Sequence, residues 1–505
     1  MFPRPEQISC APERRALFVD LNNFSLYPTV GVGYIARALR DAGWVVDILS
    51  PLSYGVRGLT REPRSTLWRH LFNRANQAAA HSSLSVVRGL RDSAAELRRR
   101  QFLARCHRVA ARVEQALNQS RYDIVLVSAY LMYYPVCQAI GALCQSRGVP
   151  LLIGGAYLNQ PEVVAEWRGM PGLTALVGGE PERYVADLVD AAARRRPIDG
   201  FPGVNLPCGR AGPKPAPARD LDAVPFPDYS GFPWERYPHA IVPILSGRGC
   251  GWGACTFCSD ITSSSGRTFR SRSPGNVLDE VEWQSRRHRA TRFVFTDLKL
   301  NSDLSMWFGL VEGMPKRVPD PRWIAAVHVD GNRDNGLSEP DLRAARRAGL
   351  VRLTTGLESG SQRVLDAMRK GTDVERSSRF IRDANAAGIS VRVTMILGYP
   401  GEQAADVAMT ARFLEQHEAH LGRVSVNRFQ LITGTTVHRQ LEKRPEGSPG
   451  VALATVNHRL AQIDHSCPST HSKKYRRAVG DVLNVVHRIN RRGLSEGARG
   501  FEGVM

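Results

Sequence analysis

The sequence predicts an α/β protein with two units, an N-terminal doubly wound Rossmann-like sheet and, after it, a partial (β/α)6 barrel of the TIM type. Short apolar runs alternate with helix-length segments along most of the 505 residues, as in parallel sheets whose strands are joined by helices. Many of the runs end in glycine or a polar turn, and a proline-rich stretch separates the two series. In such folds ligands bind at the carboxyl ends of the strands, so functional residues are expected there.

The N-terminal unit is expected to span residues 1–204. Its first strand covers 15–20 and is followed by a polar turn, a helix at 32–42 and a second strand at 45–49. A long arginine-rich helical region comes next, and after it the expected elements are strands at 123–128, 150–155 and 173–177 and a helix at 136–145. This alternation predicts a doubly wound parallel sheet.

Residues 205–238 are expected to form a linker. The stretch contains prolines at 213, 215, 217, 225, 227 and 233. Proline lacks a backbone N–H and breaks helices, so neither a sheet interior nor a long helix is compatible with this stretch. The prediction is a semi-extended strap.

The second unit is expected to span residues 239–445. Six apolar runs predict its strands, at 240–245, 292–296, 323–329, 351–355, 390–397 and 423–431. They alternate with helical segments, which favours a partial barrel with its active site at the carboxyl ends of the strands. Several polar or flexible residues fall at those ends, namely Cys250, Asp297, His328, Glu358 and Gly398. A packed or hydrogen-bonded role is favoured for His328 over proton transfer.

Residues 446–505 form a basic, partly helical extension. Its final stretch, 493–505, is expected to be disordered because chain ends are ordered only where they are tied down.

Three cysteines, Cys250, Cys255 and Cys258, lie within nine residues on a glycine-rich loop. Three thiolates can hold an iron–sulfur cluster and leave one iron open for chemistry. A zinc site is the alternative, but it would usually need a fourth ligand, and the nearest histidines, His239 and His288, lie in no ligand motif. Three incidental buried thiols are a further alternative.

The spacing Cys-x4-Cys-x2-Cys, with Phe257 before the last cysteine, resembles the cluster loop of the radical SAM superfamily. The loop is one residue longer than the commonest form of that motif. Gly251 and Gly253 can absorb the extra residue because glycine adopts positive φ without strain.

Three later segments strengthen the resemblance, namely Arg270 to Pro274, Gly356 to Gly360 and Met395 to Glu402. The resemblance implies a [4Fe–4S] cluster, S-adenosylmethionine (SAM) and a 5′-deoxyadenosyl radical. It places the SAM contacts at Phe257, Glu358, Ser359, Gly398, Pro400 and Gly401. For Phe257, plain packing is the alternative.

The N-terminal unit resembles the cobalamin-binding domain that precedes many radical SAM cores. The residues that fall around the corrin and its nucleotide tail in that family are Ser128, Gly154, Gly155, Gly179 and Glu180. The alternative is a generic Rossmann-like domain whose glycines only turn the chain. The Asp-x-His-x-x-Gly motif that supplies a lower histidine ligand to cobalt is absent after the first strand. Water or no protein ligand is expected there, with Asn22, Asn23 or Tyr130 lining that face.

Composition excludes several classes of protein. The formal charge is +20, but the arginines are dispersed and no basic motif is interleaved with aromatic residues, so nucleic acid is not an expected partner. No apolar run approaches 18 residues and no signal-peptide pattern begins the chain, so no membrane partner is expected. Nine cysteines, an odd number, indicate reduced thiols and a cytoplasmic location.

The resemblance implies a cobalamin-dependent radical SAM methyltransferase that acts on an unactivated carbon of a small-molecule or peptide substrate. In that scheme one SAM methylates reduced cobalamin and a second yields the radical. A flavodoxin- or ferredoxin-like electron donor and a setting in secondary-metabolite biosynthesis are expected. The alternatives are a non-methylating enzyme that performs cyclisation, ring contraction or oxidation, and a non-catalytic cobalamin or cluster sensor.

Overall fold

The computed structural model describes residues 13–22, 26–56, 61–80, 82, 84–260, 268–331, 334–443 and 451–504. The predicted α/β fold class is confirmed, with one mainly parallel sheet in each unit. None of the helices in these ranges is both long and apolar enough to cross a bilayer.

The N-terminal unit is a six-stranded sheet with helices on both faces. Its elements are β1 (Arg15–Asp20), α1 (Val30–Asp41), β2 (Val45–Leu49), α2 (Leu67–Ala80), α3 (Ser85–Gln119), β3 (Ile124–Ser128), α4 (Tyr134–Arg147), β4 (Leu151–Gly154), α5 (Pro161–Trp167), β5 (Ala175–Val177), α6 (Val185–Ala193) and β6 (Val204–Asn205). The strand order is β2-β1-β3-β4-β5-β6. The first five strands are parallel, and β6, which the sequence did not predict, is antiparallel to β5.

Alternate residues of these strands enter two different hydrophobic cores. Phe18 of β1 packs into the core on one face of the sheet, whereas Leu17 and Val19 pack into the core on the other. Side chains of a strand point to opposite faces in turn, so a strand buried on both faces needs a continuous apolar run. The run Ala-Leu-Phe-Val satisfies that requirement.

The second unit is a partial barrel of six parallel strands. Its elements are β7 (Ile241–Ile244), β8 (Gly247–Gly249), β9 (Phe269–Ser271), α7 (Pro274–His288), β10 (Arg292–Phe295), α8 (Leu304–Arg317), β11 (Arg322–Val327), α9 (Glu339–Arg347), β12 (Leu350–Glu358), α10 (Gln362–Ala367), α11 (Val374–Ala386), β13 (Ser390–Leu397), α12 (Ala404–Gln416) and β14 (Leu421–Arg428). The strand order is β7-β10-β11-β12-β13-β14, and β8 and β9 form a separate antiparallel hairpin.

Two segments from outside the barrel pack against it, and the N-terminal unit shares its core. Glu62 forms a buried ion pair with Arg392 of β13, with an N–O distance of 2.6 Å. In the linker, Tyr229 donates a hydrogen bond to the carbonyl of Pro243 in β7 at 2.9 Å. The two units share one hydrophobic core, to which Phe18 and Phe293 both belong. These contacts therefore fix the position of the carboxyl end of one sheet relative to that of the other.

The C-terminal extension is folded. After β14 the chain forms β15 (Leu431–Ile432) and α13 (Thr436–Glu442), and the extension then contains β16 (Ala452–Asn457), β17 (Gln462–Ser466), α14 (Lys473–Asn490) and α15 (Glu496–Arg499). The predicted strand at 423–431 is broken after Arg428, and the order of the additional antiparallel sheet is β15-β17-β16.

The prediction of a disordered end is wrong for residues 493–504. Phe501 and Val504 are buried, and Arg352 of β12 donates hydrogen bonds to both of their carbonyls, at 3.1 and 3.2 Å. A buried guanidinium needs acceptors, and this segment supplies them.

Candidate active site

The loop that carries the three cysteines follows directly on β8. Asp297, at the carboxyl end of β10, fixes the chain just before that hairpin. Its carboxylate accepts hydrogen bonds from Ser246 Oγ at 2.8 Å and from the Gly247 N–H at 2.7 Å. Burial raises the pKa of Asp297 to about 6. Its role in the structure is thus to anchor the start of the cysteine loop.

Cys250 lies close enough to the other two thiols to affect their ionisation. Burial raises the pKa of the Cys255 thiol, and burial together with Asp260 raises that of Cys258 to about 12. Within the described ranges, no three ligating side chains converge on a single metal ion. A mononuclear zinc site needs such convergence, whereas each thiolate of a cluster site binds a different iron. Three thiols on one loop are a donor set that can hold a cluster, with each thiolate on a different iron.

The segment that follows α10 fixes the cysteine loop by hydrogen bonds. The Trp252 indole N–H donates to the carbonyl of Arg369 at 2.9 Å, and the Thr256 N–H donates to the carbonyl of Met368 at the same distance. Gly371 has a φ of +67°, and a Cβ there would come within 2.1 Å of the Trp252 ring. Trp252 also stacks on His328, with 5.8 Å between ring centroids. His328 is thus a packed residue, as favoured.

Glu358 lies where β12 ends, in a constrained position. Its φ is +61°, in the left-handed region that non-glycine residues rarely adopt, and the β12–β13 register shifts at this point. The carboxylate is buried, with Lys370 Nζ at 3.3 Å and Thr394 Oγ1 at 3.4 Å from its Oε1 atom. Backbone strain held by surrounding structure is typical of functional sites.

Two other predicted SAM residues, Ser359 and Phe257, make contacts within the protein. The Ser359 hydroxyl lies 3.4 Å from Thr410 Oγ1 and accepts the Ser361 N–H at 3.1 Å. Phe257 packs against a hydrophobic cluster that includes Tyr399. Contact of either residue with SAM stays a prediction.

The turn after β13 contains Gly398, Pro400 and Gly401. Both glycines have a φ of +84°, and a Cβ at either position would meet no atom within 4 Å, so the turn borders open space. The Gly398 N–H donates to Glu402 Oε2 at 2.7 Å, and the Tyr475 hydroxyl of α14 donates to the same oxygen at 2.6 Å. Burial raises the pKa of Glu402 to about 7. The C-terminal extension therefore supports this turn, which the sequence did not reveal.

A cavity of 590 Å³ lies between the carboxyl end of the N-terminal sheet and the β8 hairpin. Seven predicted cobalamin residues line it, namely Asn22, Ser128, Tyr130, Gly154, Gly155, Gly179 and Glu180. The eighth, Asn23, lies outside the described residues. The lining also includes Gly247, Arg248 and Gly249 of β8, which Cys250 follows. No histidine is present among the described residues that line the cavity.

Asn22 offers an unused polar atom at this cavity. Its amide group donates to Ser128 Oγ at 3.1 Å, but its buried Oδ1 has no hydrogen-bond donor among the described residues. Buried polar atoms are normally paired, so this oxygen is suited to a ligand donor such as an amide N–H. The side chains of a corrin carry such amides.

The predicted glycines differ in what surrounds them. A Cβ on Gly154 would make only ordinary contacts, the nearest at 3.8 Å, whereas one on Gly155 would lie 2.5 Å from the carbonyl oxygen of Ala129. Gly179 has a φ of +87° and would clash with Pro215. Packing within the chain thus explains why Gly155 and Gly179 are glycines. Gly154 lies at a strand end with free space beside it.

Glu180 is engaged in ion pairs across the two units. Its carboxylate lies 2.9 Å from Arg248 of β8 and 2.7 Å from Arg270 of β9, and Arg248 also pairs with Glu182 at 2.8 Å. Glu180 therefore joins the sheet to the hairpin that leads into the cysteine loop. Contact of Glu180 with cobalamin stays a prediction.

Asp20, at the end of β1, was not among the predicted site residues. It accepts hydrogen bonds from Thr29 Oγ1 at 2.7 Å and from the Asn22 N–H at 2.9 Å. Burial raises its pKa to about 7. The sequence clue was an acidic residue ending a buried strand. In the structure this residue shapes the turn beside the cavity.

Comparisons with known proteins agree with this geometry. Residues 244–414 match the radical SAM superfamily. An uncharacterized methyltransferase of Pyrococcus horikoshii is 25% identical over 279 residues, which cover 54% of this chain and 59% of that protein. The anaerobic magnesium-protoporphyrin IX monomethyl ester cyclase of Rubrivivax gelatinosus is 30% identical over 276 residues, which cover 51% of this chain and 47% of the cyclase. The chain thus spans about half the length of these relatives.

Among solved structures, the radical SAM methyltransferase TsrM of Kitasatospora setae shares the fold. With tryptophan and a SAM analogue bound, TsrM superposes with a TM-score of 0.65 and 17% identity, over 97% of this chain and 92% of TsrM. A second structure of TsrM holds cobalamin and a [4Fe–4S] cluster. Residues 244–414 are therefore a radical SAM domain, and the chain as a whole shares the fold of TsrM.

Proposed function

We propose that the chain is a cobalamin-dependent radical SAM methyltransferase that acts on an unactivated carbon of a small-molecule or peptide substrate. The observation that supports the proposal is that both units line the same cavity. The N-terminal strand ends form one wall, and the β8 residues that lead into Cys250 form another. A ligand in this cavity would lie beside the cysteine loop.

Specific residues are assigned to each cofactor. The Cys250, Cys255 and Cys258 thiolates would hold the cluster, and Glu358 and the Gly398 turn would bind SAM. The residues around Gly154 would face cobalamin. When bound, these groups supply the one-electron cleavage of SAM and the methyl transfer.

The chain itself would orient the cofactors by fixing the elements that hold them. Glu180 fixes the sheet to the hairpin, and the carbonyls of Met368 and Arg369 fix the cysteine loop. A tryptophan is bound in TsrM, which supports a substrate of small-molecule size. Cytoplasmic location, a flavodoxin- or ferredoxin-like electron donor and a role in secondary metabolism are parts of this proposal.

The test is product analysis with the reconstituted protein under anaerobic conditions. The assay contains iron and sulfide, hydroxocobalamin, SAM, a chemical reductant and candidate substrates. Methyl transfer by the proposed route gives S-adenosylhomocysteine together with 5′-deoxyadenosine. If a cluster-loaded protein forms neither of these products, that result contradicts an enzymatic role and favours a sensor.

A second candidate is a non-methylating radical SAM enzyme, which the 30% identity to the cyclase of Rubrivivax gelatinosus favours. In that case 5′-deoxyadenosine forms without S-adenosylhomocysteine. The same assay therefore separates the two functions.

A further inference from the structure

Lys370 is a buried cation at the candidate site to which no role has been assigned. It is 9% exposed and lies in the turn after α10. Its ammonium has three N–H donors, and among the described residues Glu358 Oε1, at 3.3 Å, is its one hydrogen-bond acceptor. Two donors are thus available to another anion or acceptor.

The backbone is shaped to accommodate this pair. A Cβ on Gly356 would lie 2.1 Å from Glu358 Oε1 and 2.7 Å from Lys370 Nζ, so a residue with a side chain would displace one of them. Glu358 also takes its positive φ here. Burying an ammonium with a single carboxylate and two unused donors is costly, which indicates that a further anion completes the site.

The cysteine loop is where a further negative charge would lie once its thiols hold a cluster. Hydrogen bonds from Thr256 and Trp252 fix the carbonyls of Met368 and Arg369, and Lys370 follows them directly. Burial alone would lower the pKa of Lys370, but the charges of Glu358, Cys255 and Cys258 raise it overall. The side chain therefore stays charged and lies within electrostatic reach of two of the three thiols.

We propose that Lys370 is the positioning cation of the cluster site, balancing the charge of the bound cluster and holding the Glu358 carboxylate in place. The inference rests on the proposed function, because it requires a cluster on the three cysteines. One-electron reduction by an external donor makes the cluster more negative. A fixed positive charge stabilises the reduced form and raises the reduction potential.

The experiment compares the midpoint potential of the cluster in the wild-type protein and in Lys370→Met, by EPR-monitored titration with dithionite and without SAM. Iron and sulfide content is measured on the same samples. We expect Lys370→Met to keep its cluster but to titrate at a more negative potential, and Lys370→Arg to restore much of the shift. Lys316→Met is the matched control, because Lys316 is an exposed lysine of α8 paired with Glu312.

A cluster-loaded Lys370→Met protein with the wild-type potential would overturn the inference. Should that variant fail to assemble a cluster because Glu358 is left buried and unpaired, the double variant Lys370→Met/Glu358→Gln is compared with Glu358→Gln. The double variant must again have the lower potential, and equal potentials would overturn the inference. A wild-type protein that assembles no cluster contradicts the proposed function itself, so the two failures are distinguishable.

Discussion

The two sheet edges that meet at the candidate site are built differently. At the edge of the N-terminal sheet, the open strand end of Gly154 and the unused amide oxygen of Asn22 border a wide cavity. At the edge of the barrel, buried charged groups pair with one another, as Glu358 does with Lys370. The edge of the N-terminal sheet thus gives a ligand space and backbone to lie against, whereas the edge of the barrel gives it fixed charges.

This difference corresponds to two kinds of ligand. A large rigid ligand is recognised by the shape of its cavity and by a few polar atoms. A small reactive centre needs preorganised charges, because electrostatic effects are strong where water is excluded. The Glu180 ion pairs with Arg248 and Arg270 join the two edges and fix their separation.

The largest expected effect is at the barrel edge. Replacing Cys250, Cys255 or Cys258 by Ala should abolish both the absorption of the reconstituted cluster and all SAM cleavage, because in the proposed site each thiolate binds its own iron. Cys208→Ala, at an exposed thiol, should have no effect. Retained cleavage in any of the three variants would remove the cluster assignment.

The matching change at the N-terminal edge is Gly154→Val. Its branched side chain should fill the cavity and block cobalamin uptake, measured by absorption after gel filtration, while iron content stays normal. Gly169→Val is the control, because a Cβ at that glycine of the same unit meets no atom within 4 Å. Full uptake by the Gly154 variant would show that cobalamin does not lie at this strand end. In the Co(II) form we also expect no EPR coupling from a protein histidine.

Glu402 should make stability depend on pH. Its pKa is raised from 4.5 to about 7 in the folded protein, so the free energy of unfolding should fall as pH rises through that range, by at most about 3 kcal/mol. Glu402→Gln keeps an accepting oxygen and should flatten the curve between pH 4.5 and 8, measured by denaturant unfolding of the metal-free protein. Glu312→Gln, at an exposed glutamate, should leave the curve unchanged. Parallel curves for Glu402→Gln and the wild type would show that Glu402 does not retain its proton.

A smaller effect is expected from Glu358→Gln, which removes the charge that we propose accepts hydrogen bonds from SAM. A charged hydrogen bond contributes roughly 1.5–3 kcal/mol, so SAM affinity should fall about tenfold or more with normal cluster content. Equilibrium dialysis of the oxidised, cluster-loaded protein measures this, with Glu339→Gln on α9 as control. Unchanged affinity would exclude Glu358 from the SAM site.

Much of this architecture could be predicted from local patterns. The apolar runs of β1 and β13 and the cysteine spacing are continuous in the sequence, and their bounds agree with the structure within a residue or two. The break after Arg428 could not be predicted from the sequence. Phe429 is apolar, and an apolar residue at that position fits a continuous strand as well as a strand that ends there. The Phe429 N–H makes the last hydrogen bond of the parallel ladder, to the Leu397 carbonyl, and its ring packs on Tyr399.

The sequence by itself determined the cysteine loop, the order of the strands along the chain and the strand ends at which the site residues lie. Only the tertiary structure decided which charges are buried together. Glu402 and Tyr475 are 73 residues apart, and Glu180 and Arg270 are 90 apart. A single charged residue looks the same in the sequence whether solvent or protein surrounds it. Its partner and its pKa depend on what packs around it, and that packing forms only when distant segments fold together.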